Sequence, residues 1–210
     1  MPRKQQAILS KRRTPRQARA LDTIETIFEA TARIVEREGP DALNTNRIAE
    51  RAGIAIGSLY GYFPNKQAIL LAMARRELER TQNAIRVAIE TADPNADIGR
   101  LAIRGLMRGF GGHKRLRRAM LETIMTHGRS AELAQPVDNL TRLVLGESGE
   151  RLLGAAGAMT EAQVFVLSRA LAGVIRAAAL EESPLLGTQT LEDELICLAR
   201  GYVGALAQTA

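Results

Sequence analysis

The sequence has no tryptophan, one cysteine and two histidines, and only 3% of its 210 residues are aromatic. Each scarcity removes a class of protein. A single cysteine, Cys197, forms no disulfide within the chain. Its place in an apolar helical run predicts a small buried hydrophobe. His113 and His127 have no cysteine or acidic ligand set near them in the chain, so no metal site is expected, and no cofactor motif is present. Enzyme chemistry needs a nucleophile, a base and an orienting group, and no motif supplies them. No stretch of about 18 apolar residues is free of charge, which argues against a membrane span. The basic N-terminus is not followed by an apolar segment, so it does not read as a secretory signal. A soluble cytoplasmic protein is expected. With so few aromatics, the core must come from Leu, Ile, Val, Ala and Met, a choice that suits helices over sheets. There is no strand-like alternation and no internal repeat, so the expected fold is all-α.

Acids are also missing from the first twenty residues, which carry seven bases, among them Arg12, Arg13 and Arg16. The remaining 190 residues hold 22 bases and 23 acids. The net charge of +6 therefore sits in one segment. Residues 1–20 read as a basic disordered arm whose partner is nucleic acid or another anionic surface.

Helical periodicity begins near Asp22, with Ile24, Ile27, Phe28, Thr31, Ile34 and Val35 at three- and four-residue spacing. Asp22 with Glu25 is a candidate capping box, and Gly39-Pro40 stops the helix. A second helix is expected over about 45–52, with Asn44 or Thr45 as N-cap and Gly53 in a left-handed C-terminal position. A third spans about 55–62. Pro64-Asn65 breaks the chain before a long fourth helix over about 65–91. Further helices are placed at about 97–110, 114–127, 131–153, 160–181 and 188–208, about nine in all. Gly111-Gly112, Gly128 and residues 154–157 mark the breaks. Thr160 and Gln163 form a capping box. Three parts follow: the arm (1–20), a first helical part (21–66) and a larger second one (67–210), for which the resemblance described below implies a DNA-binding domain and a ligand-binding and dimerisation domain in turn.

Residues 45–66, TNRIAERAGIAIGSLYGYFPNK, have the layout of a helix-turn-helix. Two short helices are joined at Gly53, and Ala49 and Ala52 let them approach. Such a unit lays its second helix in the major groove. The stretch Thr45-x-x-Ile48-Ala49-x-x-Ala52-Gly53-Ile54-x-x-Gly57-Ser58-Leu59-Tyr60-x-Tyr62-Phe63-x-x-Lys66 resembles the N-terminal signature of the TetR family of bacterial transcriptional regulators. The resemblance covers about 22–70. A more generic one continues from Arg169 to Arg176, like the dimerisation helix of many members.

The resemblance implies a homodimer that binds a palindromic double-stranded operator and is released by a small-molecule ligand. It implies that Thr45, with Asn46 beside it, meets phosphate. Ala55, Ile56 and Ser58 would face bases or their backbone, and Tyr60, Tyr62 and Lys66 would grip phosphates. Phe63 is read as packing the third helix on the fourth. Ala55, Ile56 and Gly61 depart from the family, which often has Ser, Lys and then His or Tyr there. Base reading would then lean on apolar contact with a thymine methyl, and the basic arm would add contacts in the adjacent minor groove. An activator of the same fold, or a ligand-independent architectural or protein-interaction factor, is the alternative.

In the second domain, the helix over 160–181 is apolar nearly all round, which predicts burial on two sides. Phe165, Leu171, Gly173 and Val174, with Leu195, Tyr202 and Leu206 of the last helix, are the candidate dimer interface. Leu106, Met107, Phe110, Met120, Ile124, Met125 and His127 are the candidate pocket for a small apolar or amphipathic ligand. Lys114, Arg115, Arg117 and Arg118 read as a solvated basic face.

Overall fold

Gly53 shows how locally the chain specifies its turns. It sits at φ 66° and ψ 31°, the left-handed region, and its N–H closes the preceding helix onto Ala49 and Glu50. Only glycine adopts that conformation without the Cβ penalty. In the computed structural model, residues 15–127 and 159–209 are described. They form α1 (Pro15–Glu38), a 3-10 turn (Pro40–Ala42), α2 (Thr45–Ala52), α3 (Ile56–Tyr62), α4 (Lys66–Glu90), α5 (Ile98–Gly109), α6 (Lys114–His127), α7 (Glu161–Leu180) and α8 (Gln189–Thr209). Eight α-helices and no strands are thus present among the described residues. The helix expected at 131–153 and the breaks at Gly128 and 154–157 lie outside them.

The chain divides into two units between Lys66 and Gln67. In the first, Ile27, Ile34 and Val35 of α1 are buried with Leu43, Ile48, Ala49 and Leu59. Burying each large aliphatic side chain contributes about 1.5–3 kcal/mol. Thr31 is also buried, and its hydroxyl donates to the Ile27 carbonyl at 2.8 Å, so no polar group is stranded there. The start of α1 differs from expectation. Residues 15–20 are helical rather than part of a disordered arm, and Pro15 occupies the first helical position, where its missing N–H costs nothing. Asp22 is therefore inside the helix and is no cap; its carbonyl receives the Thr26 hydroxyl.

The second unit centres on Ile103, Met107, Ile175, Ala178, Leu191, Leu195 and Ile196. It joins α5, α7 and α8. Thr160 and Gln163 exchange both hydrogen bonds of the capping box that starts α7. A Cβ at Gly105 would overlap Ile85, so the glycine lets α5 close on α4. An ionic cluster ties α5 to α8. The buried Glu192 carboxylate receives Nε and Nη2 of Arg104 at 2.8 and 2.7 Å and Nη1 of Arg100 at 2.9 Å. The Arg104 hydrogen bonds hold this carboxyl down at about 2, from an ordinary 4.5, against a smaller opposing effect of desolvation.

Three side chains fall elsewhere than expected. Cys197 is exposed, because it lies one position, about 100° round the helix, from the buried Ile196. Arg117 is buried rather than solvated, and its guanidinium donates to the Phe110 carbonyl. Leu195 is buried in its own unit's core, not on an outer face. The apolar helix α7 is long and apolar enough to cross a membrane by composition alone, yet it packs on α5, α6 and α8.

Candidate nucleic-acid interface

In the first unit the expected contact residues gather on the outer side of α2 and α3. Ala55, Ile56, Ser58, Tyr60 and Tyr62 are exposed, while Leu59 between them is fully buried. That alternation is what a short helix needs to be anchored by one residue and read outward by its neighbours. Ala55 starts α3 without a side-chain cap, as expected when the cap hydroxyl is missing. Three large apolar or aromatic side chains, Ile56, Tyr60 and Tyr62, thus stand in solvent on one seven-residue helix. Isolated exposed apolar residues are ordinary, but a group of this kind marks a contact surface.

The supports lie beneath. Asn44, not Thr45, is the N-cap of α2, and its side chain receives the Arg47 N–H at 2.9 Å. This frees the Thr45 hydroxyl, which pairs with the Tyr60 hydroxyl at 3.1 Å. Two hydroxyls from two helices therefore stand side by side at the surface, next to the exposed Asn46. Phe63 packs against Phe28 of α1, ring centroids 5.9 Å apart. Glu38 at the end of α1 receives the guanidiniums of Arg47 and of Arg51, the latter at 3.3 Å. These arginines hold α2 on α1. Sequence reasoning missed them, and the one available signal was their i, i+4 spacing on α2. Lys66 was expected to hold phosphate; its ammonium donates to the Leu43 carbonyl at 2.9 Å. Arg12 and Arg13 lie outside the described residues, and Arg16 falls in the first turn of α1.

The second unit sorts the remaining candidates differently. Met107 is buried, and Leu106 and Phe110 pack on the same core, so these three fill the interior. Met120 and Ile124 are half-buried, while Met125 and His127 are exposed. Among the described residues, a cavity of about 280 Å³ runs between α4 and α5, lined by Arg80, Ala84, Ile85, Leu101, Arg104 and Arg108. A second, of about 550 Å³, adjoins Arg104, Met107, Arg108, Gln189 and Glu192.

One side of α7 is uncovered. Phe165, Val166 and Val174 are exposed, and Arg169 lies 4.9 Å over the Phe165 ring. On α8, Cys197 and Leu198 are exposed as well. Gly173 has open space where a Cβ would stand. Leu171, Tyr202 and Leu206 are half-buried.

Residues 27–73 match the family model described as bacterial regulatory proteins, tetR family. The HTH-type transcriptional repressor KstR of Mycolicibacterium smegmatis is 43% identical over 54 residues, 26% of either chain. The HTH-type transcriptional regulator EthR of the same organism is 33% identical over 122 residues, 55% of this chain and 56% of its own. The chain thus spans a quarter to a half of these relatives. Among solved structures, the Thermus thermophilus FadR repressor in complex with lauroyl-CoA superposes with a TM-score of 0.63 at 22% identity. It covers 88% of this chain and 93% of its own.

Proposed function

We propose that this chain, whose residues 27–73 match the tetR family of bacterial regulatory proteins, is a sequence-specific DNA-binding transcriptional regulator of the bacterial cytoplasm. The observation that carries the reading is the outer side of α2 and α3. Ile56, Tyr60 and Tyr62 are exposed over a buried Leu59, beside the paired hydroxyls of Thr45 and Tyr60. Hydroxyls suit phosphate oxygens, and an exposed Ile suits a thymine methyl in the major groove. The basic residues of the N-terminal arm add sequence-independent attraction.

The regulator acts as a homodimer on a palindromic operator. The uncovered apolar side of α7 and α8, with Phe165, Val174 and Leu198 exposed, supports two copies meeting there. It acts as a repressor released by a small amphipathic ligand. Support comes from the cavities along α5, where Arg104 and Arg108 stand beside Leu101, Ala84 and Met107, and from a fold shared with a repressor solved with an acyl-CoA. Such a ligand shifts the population toward the state that releases DNA. Genome-wide recovery of bound fragments tests the reading. A shared inverted repeat near promoters is expected; fragments with no common sequence would rule it out.

A further inference from the structure

Resting on the ligand-release reading above, we propose that the ligand is a monoanion, a small carboxylate with an apolar body, and that Arg108 of α5 takes its charge. Two cavities of the second unit meet along α5, and Arg104 and Arg108 border both. The two arginines stand four residues apart, which puts them on one face of the helix. Their situations differ. Arg104 gives Nε and Nη2 to the buried Glu192, which holds its guanidinium in place and leaves Nη1 for a second acceptor. Arg108 has no acidic partner among the described residues. The other charges of the lining are Arg80 and Glu77, which lie 3.8 Å apart. Three bases thus face two acids, and the positive charge in excess is that of Arg108. Its planar fork matches the two oxygens of a carboxylate. Arg108 is exposed, so a ligand reaches it from solvent and water screens part of the attraction. The rest of the smaller cavity suits an apolar body: Ala84, Ile85, Ala88 and Leu101 line it. Leu101 and Arg108 are about 10 Å apart along the helix, so that body is short.

The test titrates the full-length protein with three probes. Octanoate has both charge and body, octan-1-ol has the body without the charge, and acetate has the charge without the body. Calorimetry at low salt should show octanoate binding about tenfold or more tightly than either control. Arg108→Gln should weaken octanoate about tenfold and leave octan-1-ol unchanged. Arg108→Lys, which keeps the charge and loses the fork, should fall between the wild type and Arg108→Gln. Arg86 is an exposed arginine of α4 that pairs with Glu90 and lines neither cavity, so Arg86→Gln should bind octanoate as the wild type does. Four results each overturn the proposal: no octanoate binding at millimolar concentration, a control probe binding as tightly as octanoate, equal octanoate affinity in wild type and Arg108→Gln, or an equal loss in Arg86→Gln. Release of a duplex recovered from the genome by the wild type separates this proposal from the reading it rests on. Octanoate that binds through Arg108 yet leaves the duplex bound defeats the release reading and leaves the anion site standing. Octan-1-ol that releases the duplex from a protein indifferent to octanoate defeats the anion site and leaves the release reading standing.

Discussion

Replacing Glu192 with Gln probes the ionic cluster that joins α5 to α8. The carboxylate receives three charge-assisted hydrogen bonds from Arg100 and Arg104, and its side chain is only 7% exposed. The arginines are 30% and 42% exposed, so water screens part of the attraction. Gln keeps one acceptor. The net loss is then about 1–2 kcal/mol, well below the sum of three isolated bonds. For a chain of this length that lowers the melting temperature by roughly 2–8 °C at neutral pH. The pH dependence is the sharper part. The native carboxyl titrates at about 2, below its ordinary 4.5. A depressed value means stabilisation that is complete above 4.5 and lost as pH falls toward 2. Melting curves of both proteins, followed by circular dichroism at low salt from about pH 7 to about pH 2, should show a gap that closes across that window. A gap that stays constant to the acid end, or widens as pH falls, would refute the ionic account.

Other consequences are equally direct. Gly53→Ala forces a Cβ into the left-handed turn, and calorimetry should show the first unit destabilised by about 1–2 kcal/mol; no change would mean the turn has relaxed. Deleting residues 2–13 removes five bases and should lower the salt slope of DNA binding by about 0.9 for each phosphate those bases neutralise. An unchanged slope would make the segment a passive tail. Phe165→Asp places a charge on the exposed side of α7. Sedimentation should show dimer giving way to monomer, with operator affinity falling in parallel, whereas an unaffected dimer would move the interface elsewhere.

Much of the fold could be read from the chain because helix ends are written locally. Asn44, Gly53, Pro64 and Thr160 each mark a boundary through their own side chain or backbone. The start of α1 escaped because its first turns are polar and carry no apolar rhythm, so periodicity registers only from Ile24. Outward and inward faces were harder. Leu195 and Cys197 lie in the same apolar run, and only packing against Ile103 and Ile175 shows that one is covered and the other is not. Arg117 looked like one of four surface bases, yet it is buried with its guanidinium on the Phe110 carbonyl, seven residues back across the turn before α6. The exposed residues of α3 were legible by position in the motif. Their supports were not, because Glu38 meets Arg47 and Arg51, and Lys66 meets Leu43, across 9, 13 and 23 residues.

The exposed side of α3 reading bases is the central claim, and Ile56 is its most specific part. Wild-type protein and Ile56→Lys should each be used to select duplexes from a random-sequence pool. A changed preference at one base pair in each half-site, with thymine lost there and the rest of the inverted repeat kept, is the predicted result. Identical preferences for the two proteins would contradict base reading by this helix.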